Sequence, residues 1–114
     1  MNSIIQEKSF SFAVRIVNLC RHVQAEQKEF ILTKQLLRSG TSIGANVSES
    51  QQAQSRLDFI NKLNIALKEA YETNYWLRLM HETQYLTVTE FQSIIADCQE
   101  LERILISIIK TAKE

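Results

Sequence analysis

The sequence predicts an all-α fold, and three observations lead to this prediction. The chain has no proline and only two glycines in 114 residues, so it lacks the turn-forming residues that a β-sandwich or barrel needs. Long segments are rich in Leu, Ile, Ala, Gln, Glu and Lys, which favour helix. Apolar residues in these segments recur at spacings of three and four. We therefore expect one domain, residues 1–114, folded as an antiparallel up-down-up-down four-helix bundle.

The first two predicted helices cover about residues 4–26 and 33–53. The first has a wide apolar face, because Phe10, Ala13, Val17 and Cys20 join its main row. The second begins near Thr33, a residue type that favours the N-cap. The apolar rows are Phe12, Ile16, Leu19 and Val23 in the first helix, and Leu36, Gly40, Ile43 and Val47 in the second.

Both glycines of the chain, Gly40 and Gly44, lie inside the second predicted helix, one turn apart. A glycine in a helix interior costs about 1 kcal/mol relative to alanine. We expect the compensation to come from a neighbouring helix that approaches closely where no Cβ stands in the way. A locally weak or kinked helix is the alternative interpretation.

The third and fourth predicted helices cover about residues 56–84 and 88–112. Each opens with a capping-box pattern, Ser55 with Asp58 and Thr87 with Glu90. The apolar row of the third is interrupted by Asn74, and a buried amide at such a position often sets register or oligomeric state. The rows are Ile60, Leu63, Leu67, Ala70, Asn74 and Leu77, then Phe91, Ile94, Cys98, Leu101, Leu105, Ile108 and Ala112.

The end of the fourth helix predicts self-association. Ile104, Ile106 and Ile109 spread apolar surface almost around the helix. A helix that is apolar on all sides is buried on all sides, which the outer helix of a small monomeric bundle is not. These three residues are therefore candidates for an interface between copies.

Three aromatic residues of the third helix are further candidates for this interface: Tyr71, Tyr75 and Trp76. Tyr75 and Trp76 lie off the apolar row, and aromatic residues outside a core often anchor protein interfaces. Stacking on nucleic-acid bases is the alternative.

A polar line accompanies the glycines. It comprises Arg38, Ser42, Asn46 and Glu49 in the second helix, with Glu69, Glu72, Thr73 and Asn74 in the third. If these helices pair antiparallel, Arg38 meets a carboxylate of the third helix. The line is either a buried hydrogen-bond network that fixes packing register, or a polar pocket or partner site.

The distribution of charge bears on whether the chain binds nucleic acid. The formal net charge is zero, but residues 1–57 carry seven Lys or Arg against four Asp or Glu, and residues 58–114 carry six against nine. A basic patch for nucleic acid and an ordinary solvated surface both remain open. The candidate nucleic-acid contacts are Arg15, Arg21, Lys34, Arg38 and Arg56.

Motifs for catalysis, metal or cofactor are absent from the sequence. Neither His22 nor His81 belongs to a Glu-x-x-His pair, and no phosphate-binding loop or nucleophile elbow occurs. Cys20 and Cys98 lie on apolar rows and are expected as buried free thiols. We predict no enzyme activity, no cofactor, no metal, no small-molecule substrate and no membrane partner. With neither signal peptide nor spanning segment, the expected compartment is the cytoplasm.

The middle of the chain resembles the 23S ribosomal RNA intervening-sequence proteins. The matching residues are Leu37, Arg38, Gly40, Ser42, Ile43, Asn46, Val47, Ser48 and Glu49, followed by Ser55, Phe59, Ala66 and Glu69. The chain departs at Phe30-Ile31, where many members have Phe-Pro, and at Glu49-Ser50, where many have Glu-Gly.

The resemblance implies a four-helix bundle that assembles as a ring-like homopentamer. A related branch, the accessory variability proteins of diversity-generating retroelements, is strongly basic and binds nucleic acid and a reverse transcriptase. The neutral charge of this chain argues against close membership of that branch. We expect a non-enzymatic, homo-oligomeric interaction or scaffold module. The alternative is an RNA- or DNA-binding accessory protein that uses a basic surface of the ring.

Overall fold

Four α-helices make up the computed structural model, which describes residues 3–114. They are α1 (Ser3–Gln27), α2 (Leu32–Ser50), α3 (Arg56–Glu82) and α4 (Val88–Lys113). The described residues contain no strand, so the prediction of an all-α fold with four helices is confirmed. The first two residues of the predicted domain lie outside the described residues.

Contacts between the helices show that consecutive helices run antiparallel. Between α2 and α3, Lys62 near the start of α3 binds Glu49 near the end of α2, with 3.0 Å between Nζ and Oε1. Between α3 and α4, Arg56 Nε donates to the Ala112 carbonyl oxygen at 2.6 Å, although the two residues lie at opposite ends of their helices. The four helices pack side by side in a bundle of 45 × 20 × 19 Å.

The hydrophobic core runs along the bundle and takes residues from all four helices. The predicted apolar rows supply most of it, because spacings of three and four keep these side chains on the inner face of each helix. Its members include Phe12, Ile16 and Val23 from α1, Leu36, Ile43 and Val47 from α2, Leu63, Ala70 and Leu77 from α3, and Ile94, Leu101 and Leu105 from α4.

The start of α2 is capped by Glu29, and the prediction of Thr33 as N-cap is wrong. Glu29 Oε2 accepts from the backbone N–H groups of Ile31 (3.0 Å) and Leu32 (2.8 Å), and Oε1 accepts from that of Thr33 (2.9 Å). Thr33 already lies in the first turn, where its hydroxyl donates to the Glu29 carbonyl oxygen. One carboxylate therefore satisfies three of the N–H groups that a helix start leaves unpaired.

The other two predicted caps agree with the structure in their main bonds. Ser55 Oγ accepts from the Asp58 N–H at 3.0 Å, although the Asp58 carboxylate reaches the N–H of Gln54 instead of Ser55. At α4 the capping box is complete, because Thr87 and Glu90 each accept from the backbone of the other.

Two helices end earlier than the sequence predicted. α2 ends at Ser50, three residues before Ala53, because the following N–H groups bond three residues back and tighten the chain into a turn. α3 ends at Glu82, since Gln84 adopts a left-handed conformation with φ of 70°.

The glycines of α2 lie against α1, where the packing leaves little room for a Cβ. A Cβ at Gly40 would lie 2.9 Å from Cγ1 and Cγ2 of Ile16, closer than real Cβ contacts occur. A Cβ at Gly44 would lie 3.2 Å from the carbonyl oxygen of Ser9. Neither glycine has a positive φ, so their role lies in packing and not in backbone freedom.

Gly40→Ala is expected to destabilise the protein by about 1–3 kcal/mol, because overpacking against Ile16 outweighs the better helix propensity of alanine. The free energy of unfolding in urea measures this cost. In a double-mutant cycle, the pair Gly40→Ala with Ile16→Ala should cost less than the sum of the two single substitutions. Ser48→Ala, an exposed change on the same helix, serves as the control. Additive costs would contradict the steric contact.

Glu29→Gln is expected to cost about 1–2 kcal/mol at neutral pH, since the amide replaces a carboxylate that accepts three N–H bonds. Burial alone would raise the pKa of Glu29, but the N–H donors of Leu32, Thr33 and Ile31 together hold it below 4.5. The stabilisation is therefore present above the unfolded pKa and is lost as pH falls through the lower folded value.

Urea titrations at several pH values measure this linkage. The stability difference between wild type and Glu29→Gln should shrink in acid, whereas the exposed control Glu26→Gln should match wild type throughout. A difference that does not change with pH would show that the charge of Glu29 does not contribute.

Candidate functional site

A polar cluster joins α2 to α3 at the surface of the bundle. The Arg38 guanidinium binds Glu72 and, with 3.3 Å between Nη1 and Oε1, Glu69. Glu72 also accepts from Trp76 Nε1 at 3.0 Å. The bond from Arg38, with that from Trp76, holds the pKa of Glu72 below its ordinary value. The Arg38 side chain is 49% exposed, so this cluster is a surface ion pair of small energetic weight.

The predicted polar line is not one continuous network. Ser42 donates to the Arg38 carbonyl oxygen at 2.6 Å, and Asn46 donates to that of Ser42 at 2.8 Å, so both bond within α2. Glu49 reaches α3 through Lys62. Asn74 faces α4 instead, where its Nδ2 donates to Glu102 at 3.2 Å.

A buried hydroxyl pair, which the sequence analysis did not identify as such, joins α2 to α3 in the interior. Ser39 and Thr73 are both completely buried, and Thr73 Oγ1 lies 3.0 Å from Ser39 Oγ and 2.7 Å from the Glu69 carbonyl oxygen. The sequence signal for the burial of Ser39 was its position three residues after Leu36, which places both residues on one face of α2. Every buried side-chain N or O among the described residues has a hydrogen-bond partner. This buried pair, rather than the members of the polar line at or near the surface, is placed to favour one register.

The five predicted nucleic-acid contacts do not come together. Arg15 pairs with Asp97 at the α1–α4 edge, Arg38 pairs with two glutamates at the α2–α3 edge, and Arg56 bonds carbonyl oxygens at the end of α4. Arg21, Lys34 and Arg56 have no acidic partner among the described residues, and they lie on three different helices. Ion pairing thus neutralises two of the five predicted contacts, and the other three do not form one basic patch.

The α3 aromatic residues form a small exposed group. Tyr71 and Tyr75 are each 49% exposed. Tyr75 packs edge to face on Trp76 with ring centroids 5.1 Å apart, and the Arg78 guanidinium lies 6.0 Å from the Tyr75 centroid. Trp76 itself is half-buried against the core.

The three isoleucines of α4 have different environments. Ile109 belongs to the core of the single chain and is only 6% exposed, so it has almost no surface to offer a second copy. Ile104 is partly buried against that core. Ile106 is 44% exposed and joins Tyr71 and Tyr75 as an apolar residue on the outside of α3 and α4.

A second apolar surface lies on the outside of α1, where the sequence analysis had placed Phe10 in a single wide apolar face. Phe10 is 70% exposed and Val14 46% exposed. Beside them, a groove of about 380 Å³ runs between α1 and α2 over the small residues Gly44 and Ala45. The signal for this surface was the spacing of Phe10, Val14 and Val17, which differs in phase from the core row.

The described residues contain neither a group of metal ligands nor a thiol with a lowered pKa. No group of His, Cys, Asp or Glu among them is arranged to hold a metal ion. Burial, and secondly the charge of Glu29, raises the pKa of the Cys20 thiol to about 12. Burial and then Glu102 raise the pKa of Cys98 as well, so neither thiol favours the reactive thiolate. None of the described helices has the length and apolar character required to cross a membrane.

The fold defines a small all-α protein built from four antiparallel helices. A model of the family described as 23S rRNA-intervening sequence protein matches residues 1–107, and the chain belongs to this family. A crystal structure of a protein of unknown function from the S23 ribosomal protein family of Bacteroides thetaiotaomicron is similar. The two sequences are 61% identical, the match covers 94% of this chain and 99% of the chain in that structure, and the TM-score is 0.93. A search of curated proteins found no match. The family resemblance is thereby confirmed.

Proposed function

We propose that this chain is a cytoplasmic, non-enzymatic, homo-oligomeric helical module that acts by holding copies of itself, and through them a partner, in a defined arrangement. The observation that carries the proposal is the exposure of large apolar side chains on both sides of the bundle. Tyr71, Tyr75 and Ile106 are exposed on α3 and α4, and Phe10 and Val14 on α1. Large apolar side chains exposed along one side of a helix pair are candidates for an interaction surface.

A closed ring of five copies is the assembly that the family resemblance implies. A ring requires a heterologous contact, in which one surface of a copy meets a different surface of the next. We assign the α3–α4 surface of Tyr71, Tyr75 and Ile106 to one half of this contact. Ile109 is excluded from it by its burial in the core of its own chain.

The alternative, an RNA- or DNA-binding accessory protein, has weaker support. Affinity for a phosphate backbone depends on cations that lie together and are free to replace counterions. Arg15 and Arg38 are already paired with carboxylates, and Arg56 donates to carbonyl oxygens at the end of α4. Arg21 and Lys34 remain as the two cations of the predicted set with no such partner among the described residues.

Sedimentation equilibrium at micromolar concentration tests the proposal. The wild-type chain should have a mass of five copies or a multiple of five. Tyr71→Asp combined with Ile106→Asp should reduce this mass, because it places charges in the apolar contact. Gln92→Glu, an exposed change on α4, is the control.

A wild-type monomer would overturn the proposal, and an oligomer of another size would overturn the ring. Filter binding to structured RNA over a salt series tests the alternative. A steep decrease of affinity with salt would favour it, and the absence of binding at low salt would exclude it.

A further inference from the structure

Helix α1 carries a second row of residues that faces away from its own core. The row is Glu7, Phe10, Val14, Val17 and Arg21, with alternating spacings of three and four. Such spacing places side chains on one stripe of a helix, as in the seam of a coiled coil. Phe10 and Val14 are exposed and Val17 is half-buried, while Glu7 and Arg21 are exposed at the two ends. We call this row the outer seam of α1.

The outer seam is self-complementary when two copies of α1 lie antiparallel. Glu7 and Arg21 stand seven residues before and after Val14, and they have opposite charges. A twofold axis at Val14 therefore places Glu7 of each copy beside Arg21 of the other. The same axis places Phe10 of each copy across from Val17 and Asn18 of the other. A self-complementary patch of this kind is what a twofold contact requires.

The charges at the ends of the seam are available for such a contact. Among the described residues, neither Glu7 nor Arg21 has an ion-pair partner. The neighbouring cations of α1 are occupied, because Lys8 binds Glu100 with 3.2 Å between Nζ and Oε1, and Arg15 binds Asp97. The chain thus pairs the α1 cations that face α4 and leaves the two charges of the outer seam unpaired.

The surface also has room for a second helix. A shallow hollow of about 310 Å³ lies over Phe10, Ala13, Val14, Val17, Asn18 and Arg21. The antiparallel arrangement brings the Phe10 ring of the second copy over the Val17 and Asn18 end of this hollow. Next to α1, the outer face of α2 carries only small side chains at Thr41, Gly44 and Ala45, so α2 does not obstruct an approaching helix.

We propose that the outer seam of α1 is a twofold, antiparallel contact between two copies of this chain. Charge complementarity selects the antiparallel direction, since a parallel pair would place Glu7 beside Glu7 and Arg21 beside Arg21. This contact rests on the proposed self-association. It is isologous, because both copies use the same surface, whereas the ring contact through α3 and α4 is heterologous. The α1 contact therefore adds to the ring contact and does not replace it.

Charge reversal tests the pairing. Glu7→Arg alone, or Arg21→Glu alone, places like charges at both ends of the seam and should raise the dissociation constant of the pair by roughly tenfold or more. At a fixed micromolar concentration the mass should fall to half that of wild type. The double variant Glu7→Arg with Arg21→Glu restores opposite charges and should restore the mass. Circular dichroism and thermal unfolding confirm that each variant is folded.

Cysteine cross-linking tests the position of the axis. Val14→Cys places two thiols beside each other at the axis and should give a disulfide-linked dimer under mild oxidation. Ala25→Cys is the matched control, because two such residues would lie roughly 33 Å apart along antiparallel helices and should not cross-link. The native Cys20 and Cys98 are buried, so they should not contribute.

The outcomes separate this pairing from the proposed function. A wild-type mass that every α1 variant retains, with no cross-link at Val14→Cys, would overturn the pairing and leave the self-association through α3 and α4 in place. Equal cross-linking of the two cysteine variants, or a double charge reversal that fails to restore the mass, would also overturn it. A wild-type monomer would overturn both proposals.

Discussion

The close approach of α1 to α2 at Gly40 and Gly44 is the constraint on which the rest of the structure depends. Ile16 occupies the space that a Cβ at Gly40 would need, and the Ser9 backbone lies over Gly44. The chain accepts the weak helix propensity of two glycines to permit this contact. At the two left-handed positions among residues 3–114 the chain has Lys28 and Gln84, not glycine. The glycines thus set the distance between helices, and the small outer face of α2 that results leaves the outside of α1 accessible.

Polar groups fix the helix ends and the register of the bundle, whereas the ion pairs at its surface add little to its stability. Glu29 satisfies the start of α2 from outside the helix, and the Ser39–Thr73 pair joins α2 to α3 in the interior. Exposed ion pairs such as Arg38 with Glu72 contribute little individually. They do determine which charges remain available, and this leaves Glu7 and Arg21 as unpaired charges on the outer seam of α1. These unpaired charges and the apolar side chains between them are the basis of the proposed self-association.

Helix periodicity was sufficient to predict the four helices, because apolar residues at spacings of three and four all lie on one face of a helix, and this face packs into the core. The caps at Ser55 and Thr87 were predictable from local motifs. The cap at Glu29 was not predictable, since its carboxylate accepts from N–H groups two to four residues later in the chain, and the capping box does not describe this arrangement. Burial of Ser39 and the separation of Arg15 from Arg38 depend on which helix each face meets, which the sequence alone does not specify. The outer seam was hidden because Phe10 also fits the wide apolar face of α1.

Gly40 and Gly44 serve the α1–α2 contact and not the conformation of α2. Replacing both by alanine separates the two roles. In an isolated peptide of residues 28–54, the double substitution should increase the helix content measured by circular dichroism, since alanine is the best helix former. In the whole chain the same substitution should lower the urea midpoint of unfolding. A whole chain whose urea midpoint rises when the helix content of the peptide rises would contradict this packing role of the glycines.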